Sequence, residues 1–103
     1  MIGSRDDDRH ERGRRLRRER LAAARAIATH SPEQWQQILA EVDGECVCCG
    51  TRDRRLEKDH IIPIYQGGSD GIDNLQPLCA SCNSSKGPDN TNWLTTWRTR
   101  RSV

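Results

Sequence analysis

Phenylalanine is absent from this chain of 103 residues, aromatic side chains of all kinds make up 4% of it, and only 33% of residues are hydrophobic. A domain this small with so few large apolar groups cannot be held by its core alone, so a metal or a covalent staple is expected. No stretch approaches the roughly 20 apolar residues that a helix needs to cross a bilayer, which excludes a spanning segment and predicts a soluble protein. No apolar run of suitable length follows Met1 either, so the sequence reads as lacking a secretory leader. Five cysteines is an odd number for disulfide pairing. Together these point to a reducing cytoplasm and to thiolate–metal bonds in place of disulfides.

What is present is unevenly spread. Residues 1–30 carry nine arginines against five acids, whereas residues 31–103 carry eight Lys/Arg against ten acids, so the net charge of +2 conceals a basic arm on a mildly acidic body. The expected organisation is a partly helical arm over 1–30 followed by one small domain over 31–103. Arginine at the density of R-H-E-R-G-R-R-L-R-R-E-R suits contact with a phosphate backbone without reading bases, although the same run also fits a solvated helix.

Residues 1–8 are polar and read as disordered, and a weakly amphipathic helix is expected from about 9 to 28, with Leu16, Ala23, Ala24 and Ile27 as its apolar stripe. A sharper signal follows. Ser31, Pro32 and Gln34 form a helix start of the S-x-x-Q type, and Trp35, Ile38, Leu39 and Val42 then recur on one helical face until Asp43-Gly44. Leu56 to Ile64 and Ile72 to Leu78 read as two strands of a hairpin turned at Gly67-Gly68, and residues 80–86 as a short helix stopped by Gly87-Pro88. Trp93, Leu94 and Trp97 predict one helical turn packed on the domain, ahead of Arg98, Arg100 and Arg101.

The cysteines fall into two C-x-x-C pairs, Cys46/Cys49 and Cys79/Cys82, with 29 residues between them. Each pair can present two thiolates from one turn, and two such turns satisfy tetrahedral zinc. The interval is longer than a simple zinc ribbon uses because the whole hairpin lies inside it, so zinc would tie the hairpin's two ends together. C-V-C-C also permits a pair containing Cys48; the spacer of two followed by Gly50 favours Cys46 and Cys49, leaving Cys48 as a bystander.

Within that frame stand Asp59-His60-Ile61-Ile62-Pro63, Gly67-Gly68, Asn74-Leu75-Gln76-Pro77-Leu78-Cys79 and Cys82-Asn83, closing with Lys86. Over about residues 46–87 this resembles the HNH nuclease family, whose pattern runs D-H-x-x-P, G-G, N-L-x-x-L-C-x-x-C-N-x-x-K. The resemblance implies a small α+β fold, a ββα-metal hairpin and helix stapled by a four-cysteine zinc site, with N-terminal helices and a short C-terminal helix. It implies a metal-dependent DNA endonuclease in which His60 is the general base, Asn74 on the opposite strand orients the His60 ring, and Asp59 and Asn83 hold a catalytic divalent ion, Mg²⁺ or Mn²⁺. Asn83 stands where the family name has its second histidine, an H-N-N version whose metal preference should shift toward hard cations.

The resemblance implies DNA as partner and leaves open phage packaging proteins, a role in restriction, and a homodimer. Zinc and arginines alone would also suit a non-catalytic module that binds nucleic acid or protein, but that reading gives Asp59, His60, Asn74 and Asn83 nothing to do. A thiol redox protein would need a thioredoxin-like βαβ pattern around one C-x-x-C, which is missing. His10 and His30 lie outside the motif and are expected at the surface. Lys86 reads equally as a phosphate contact or as a complement to its helix end. Arg52, Arg54 and Arg55 read equally as a backbone clamp or a solvated edge. Asn83-Ser84-Ser85 matches a glycosylation sequon of no consequence in a cytosolic protein.

Overall fold

The computed structural model describes the backbone of residues 4–101 and the side chains of residues 11–101. In chain order it contains α1 (Ser4–Ile27), α2 (Pro32–Glu41), β1 (Leu56–His60), β2 (Leu75–Cys79), α3 (Ala80–Lys86) and α4 (Trp93–Arg101), with short 3₁₀ turns at Ile64–Gln66 and Ile72–Asn74. The architecture is the expected small α+β unit, a two-stranded antiparallel hairpin with four helices around it. No described helix is long and apolar enough to cross a membrane.

Helix α2 starts as its sequence dictates. The Ser31 hydroxyl accepts from the Gln34 backbone N–H at 3.1 Å while Gln34 Oε1 accepts from the Ser31 N–H at 2.8 Å, so two donors that the first turn leaves without partners are satisfied reciprocally. Its apolar face then buries Trp35, Ile38 and Val42 against Cys46, Val47, Leu75, Leu78, Cys79 and Leu94. That one cluster is the core, and two zinc-frame cysteines are part of it. Asp43 and Gly44, at φ 54° and 69°, turn the chain out of the helix in the left-handed region.

The hairpin pairs Leu56 with Cys79 through to His60 with Leu75. Both strands are shorter than the sequence predicts. Beyond His60 the Ile61 N–H still reaches the Asn74 carbonyl at 2.8 Å, but the Ile62 N–H is taken by the Asn74 side chain, Oδ1 at 2.9 Å, and the ladder ends there. On the other strand Ile72–Asn74 closes as a 3₁₀ turn through the Asn74 N–H to the Gly71 carbonyl at 2.9 Å.

Two segments are more helical than expected. Backbone helix begins at Ser4 and takes in residues 4–8, which the sequence reads as disordered; neither proline nor glycine interrupts it before Gly13, and extending an existing helix costs far less than starting one. Residues 1–3 lie outside the described residues. The tail forms a nine-residue helix in place of one turn. Its start is held by a buried side chain of β2: Gln76 Oε1 accepts from the Trp93 and Leu94 N–H groups at 2.8 and 3.1 Å. Its last turn is fastened to α2 and the following loop by Arg98 on Glu41, with two contacts of 2.7 and 2.8 Å, and by Arg101 on Glu45 at 2.7 Å.

Candidate active site and zinc centre

Cys46 and Cys49 come from a tight turn after α2, and Cys79 and Cys82 from the end of β2 and the first turn of α3. The Gly50 N–H bonds the Cys46 carbonyl at 2.8 Å, and Gly50 at φ 80° lets the chain fold back so that the Cys46 N–H reaches the Thr51 carbonyl at 2.9 Å. The result brings the four sulfurs within 4.8 Å of one another, with Cys48 outside the group. Burial pushes the Cys46 thiol up, but donation from the backbone of Cys49, Cys79 and Cys48 outweighs it and brings the pKa down to about 7. Cys82 moves the other way, pushed up by burial and then by the neighbouring sulfurs. Four neighbouring sulfurs repel one another as thiolates, and a divalent, thiolate-preferring cation would suit the set. The donor set and its closed geometry fit a structural zinc ion.

At the far end of the hairpin, Asp59, His60 and Asn83 line one open cleft of about 400 Å³ together with Lys58, Tyr65 and the start of the loop after α3. Strand alternation sends neighbouring side chains of β1 to opposite sides. Glu57 and Asp59 face α3, where Asn83 Nδ2 donates to Glu57 Oε1 at 2.9 Å and Lys86 Nζ lies 3.3 Å from Asp59 Oδ2. Lys58 and His60 face the junction of α1 and α2. The Asp59 carboxylate is buried and tied by a second group, Gln76 Nε2 at 2.8 Å from the same Oδ2. Its Oδ1, like the Asn83 amide oxygen, has no hydrogen-bond partner among the described residues, which leaves two hard oxygen donors for a cation.

Lys86 fits neither reading offered by its sequence position. Its side chain is 2% exposed, and besides Asp59 it donates to the Ile61 carbonyl at 3.2 Å, so it neutralises a buried carboxylate and pins the end of β1. Of the arginine run, Arg52 pairs with Glu45 at 3.5 Å and Asp43 at 3.6 Å.

Asn74 does not bond the His60 ring. It stands just before β2, and its side chain is spent on the loop backbone: beside the bond from Ile62 N–H, Nδ2 donates to the Ile62 carbonyl at 3.0 Å and the Ser69 carbonyl at 2.7 Å. Gly68 is required by the same packing, since a β-carbon there would run into the Ile62 carbonyl and lie 2.9 Å from Asn74 Nδ2. Asn74 therefore fixes the loop that follows the glycine pair. The group that reaches the imidazole comes from that loop: Asp70 Oδ1 lies 2.8 Å from His60 Nε2.

Nothing in the sequence singles out Asp70, because G-G-S-D-G looks like no more than a turn. Its side chain is 4% exposed, and Oδ2 accepts from the Thr29 hydroxyl at 2.9 Å and from Arg25 Nε at 3.4 Å. Burial raises the carboxyl, but bonds from His60 and Thr29 and the charges of His30 and His60 overcome that and hold it below its ordinary value. Asp70 is thus an acceptor-only carboxylate, and its 2.8 Å contact favours the His60 tautomer that carries the proton on Nε2. His30, expected at the surface, is instead 9% exposed, with Nδ1 at 2.8 Å from the Asp70 carbonyl and Nε2 accepting from Lys58 Nζ at 2.9 Å. His10 lies outside the residues whose side chains are described.

Residues 46–89 match the HNH endonuclease family model, from the first zinc-frame cysteine to just past the loop that closes the cleft. The match assigns an HNH endonuclease domain to residues 46–89 and does not extend to the rest of the chain. No curated protein and no solved structure matches the chain. The HNH segment contains all four clustered cysteines and both strands, while α1, α2 and α4 lie outside it. Yet the contacts to Asp70 from Arg25, Thr29 and His30 come from outside the segment, so this HNH domain has its histidine supported by its own N-terminal arm.

Proposed function

We propose that this protein is a metal-dependent DNA endonuclease that hydrolyses phosphodiester bonds with His60 as general base. The observation that carries the reading is the shared cleft of Asp59, His60 and Asn83 at the loop end of a hairpin whose open end is the cysteine cluster, inside an HNH domain. His60 donates Nε2–H to Asp70, which leaves the Nδ1 lone pair to draw a proton from an attacking water. Asp59 and Asn83 would hold Mg²⁺ or Mn²⁺, and such an ion, when bound, offsets the negative charge of the phosphate and of the departing oxygen. Lys86 and Gln76 keep the Asp59 carboxylate in one orientation by occupying Oδ2. Asn74 acts at one remove, holding the loop that delivers Asp70.

Incubation with supercoiled plasmid in Mg²⁺ or Mn²⁺ tests the reading. Nicked or linear DNA is expected only with the ion present. Plasmid that stays supercoiled under every divalent metal tried would sink it.

The role of Asp70 gives a finer expectation. In Asp70→Asn an amide N–H can face the imidazole and force the proton to Nδ1, the atom that must be free. Single-turnover cleavage should fall by about 10- to 100-fold, the usual range for groups that orient a working histidine, with duplex affinity unchanged. Nitrogen NMR shifts of His60 should report loss of the Nε2–H tautomer; an unchanged tautomer and rate would remove Asp70 from the mechanism.

A further inference from the structure

Helix α1 does more than support Asp70. A second cavity of about 440 Å³ opens on His60 from the side of the arm, lined by Arg17, Arg20, Leu21, His60, Ile64 and Tyr65. The arginines of α1 differ in whether they are engaged. Arg14 and Arg18 each pair with Glu11 at 3.2 Å, Arg15 with Glu19 at 4.0 Å, and Arg25 with Asp70. Arg17 and Arg20 have no carboxylate partner among the described residues, and both are exposed. They are three residues apart on one helical face, about 4.5 Å along the axis, and that face is the one that continues into buried Ala24 and the Asp70 contacts. Two guanidiniums with no carboxylate partner among the described residues thus project beside the general base from a helix that is itself fastened to the site.

We propose that Arg17 and Arg20 clamp the phosphates of the DNA strand next to the scissile bond, so that α1 and the loop after β1 form the two walls of the substrate groove. The proposal rests on the endonuclease reading and names the surface that serves it. Guanidinium forks bond phosphate oxygens in pairs and carry no base preference. The exposed Tyr65 ring on the opposite wall offers an apolar surface to a sugar. Arg14, Arg15 and Arg18, already paired with glutamates, would contribute general attraction only.

The salt dependence of duplex binding reads this directly, because removing one phosphate-binding side chain flattens the slope of log K against log salt by about 0.9. Binding of a short fluorescein-labelled DNA duplex is measured on the His60→Ala background, which keeps the duplex whole. Arg17→Gln with Arg20→Gln should flatten the slope by about 1.8. Arg12→Gln with Arg15→Gln, which removes the same charge from α1 outside the cavity, should leave it within experimental scatter. Equal effects of the two pairs would make the contribution one of net charge and overturn the clamp, as would an unchanged slope or failure of the parent protein to bind the duplex. Plasmid cleavage by the protein with His60 intact judges the endonuclease reading separately. Cleavage that persists unweakened in Arg17→Gln/Arg20→Gln would refute the clamp while leaving the nuclease standing.

Discussion

Replacing His60 by alanine should lower the rate of plasmid nicking by about 10²- to 10⁴-fold, the usual contribution of a positioned general base, while duplex binding and the thermal midpoint change little. The separation of these readouts follows from the structure. The His60 side chain is 27% exposed, so its truncation opens no cavity in the core cluster, which is made by α2, β2 and α4. Asp70 gives up one bond but keeps Thr29, Arg25 and the proximity of His30, so the buried carboxylate is not orphaned. Asp59→Ala offers the contrast. It also abolishes the proposed ion site, yet it leaves the 2%-exposed Lys86 ammonium without its counter-charge, and a buried unpaired charge destabilises the fold. Loss of activity with an unaltered melt is therefore expected at His60 and not at Asp59. If His60→Ala nicks as fast as the parent, another group removes the proton, and the reading of this cleft is wrong even though the HNH domain remains.

The parts of this molecule that sequence reveals are those where one residue type has one physical use. Ser31, Pro32 and Gln34 specify a helix start whatever surrounds them, and the two C-x-x-C pairs announce a tetrahedral site because few other arrangements satisfy four neighbouring thiols. Asp59, His60 and Asn83 line one cleft although Asp59 and His60 are strand neighbours, because β1 ends at His60 and the cleft opens around that end toward α3. What sequence leaves dark depends on long-range contacts. Asp70 gains its meaning from Thr29, Arg25 and His60, residues 41, 45 and 10 positions away, and nothing local distinguishes it from any turn aspartate. His30 is drawn inside by the same carboxylate region. Gln76 stands at a variable position of the motif, yet with no exposed surface it bonds Asp59, the Thr91 carbonyl and the first N–H groups of α4. One side chain thus couples the C-terminal helix to a ligand proposed for the catalytic ion.

Zinc removal should unfold the domain and not merely slow it. Structural zinc bound to cysteine sites is worth about 10–16 kcal/mol of apparent free energy, against a total stability of about 5–15 kcal/mol for an ordinary domain. Here the two quantities concern the same residues, since Cys46 and Cys79 are at once ligand candidates and members of the core, 0% and 1% exposed. Without the cation, the raised thiol of Cys82 and the lowered thiol of Cys46 remain packed together with no charge to balance the thiolate. The hairpin would then be held by ten paired strand residues and a thin apolar cluster alone. Chelation, or Cys79→Ser, should therefore erase the cooperative thermal transition seen by circular dichroism and with it all cleavage. Because Asn83 follows Cys82 directly and Asp59 is strapped to α3 through Lys86, loss of the staple also scatters the proposed catalytic ligands. Adding back Zn²⁺ should restore both the transition and activity, whereas adding Mg²⁺ alone should restore neither. A chelated protein that keeps its melting midpoint, or that contains no zinc when folded, would show that the cysteine cluster is held by core packing and not by metal.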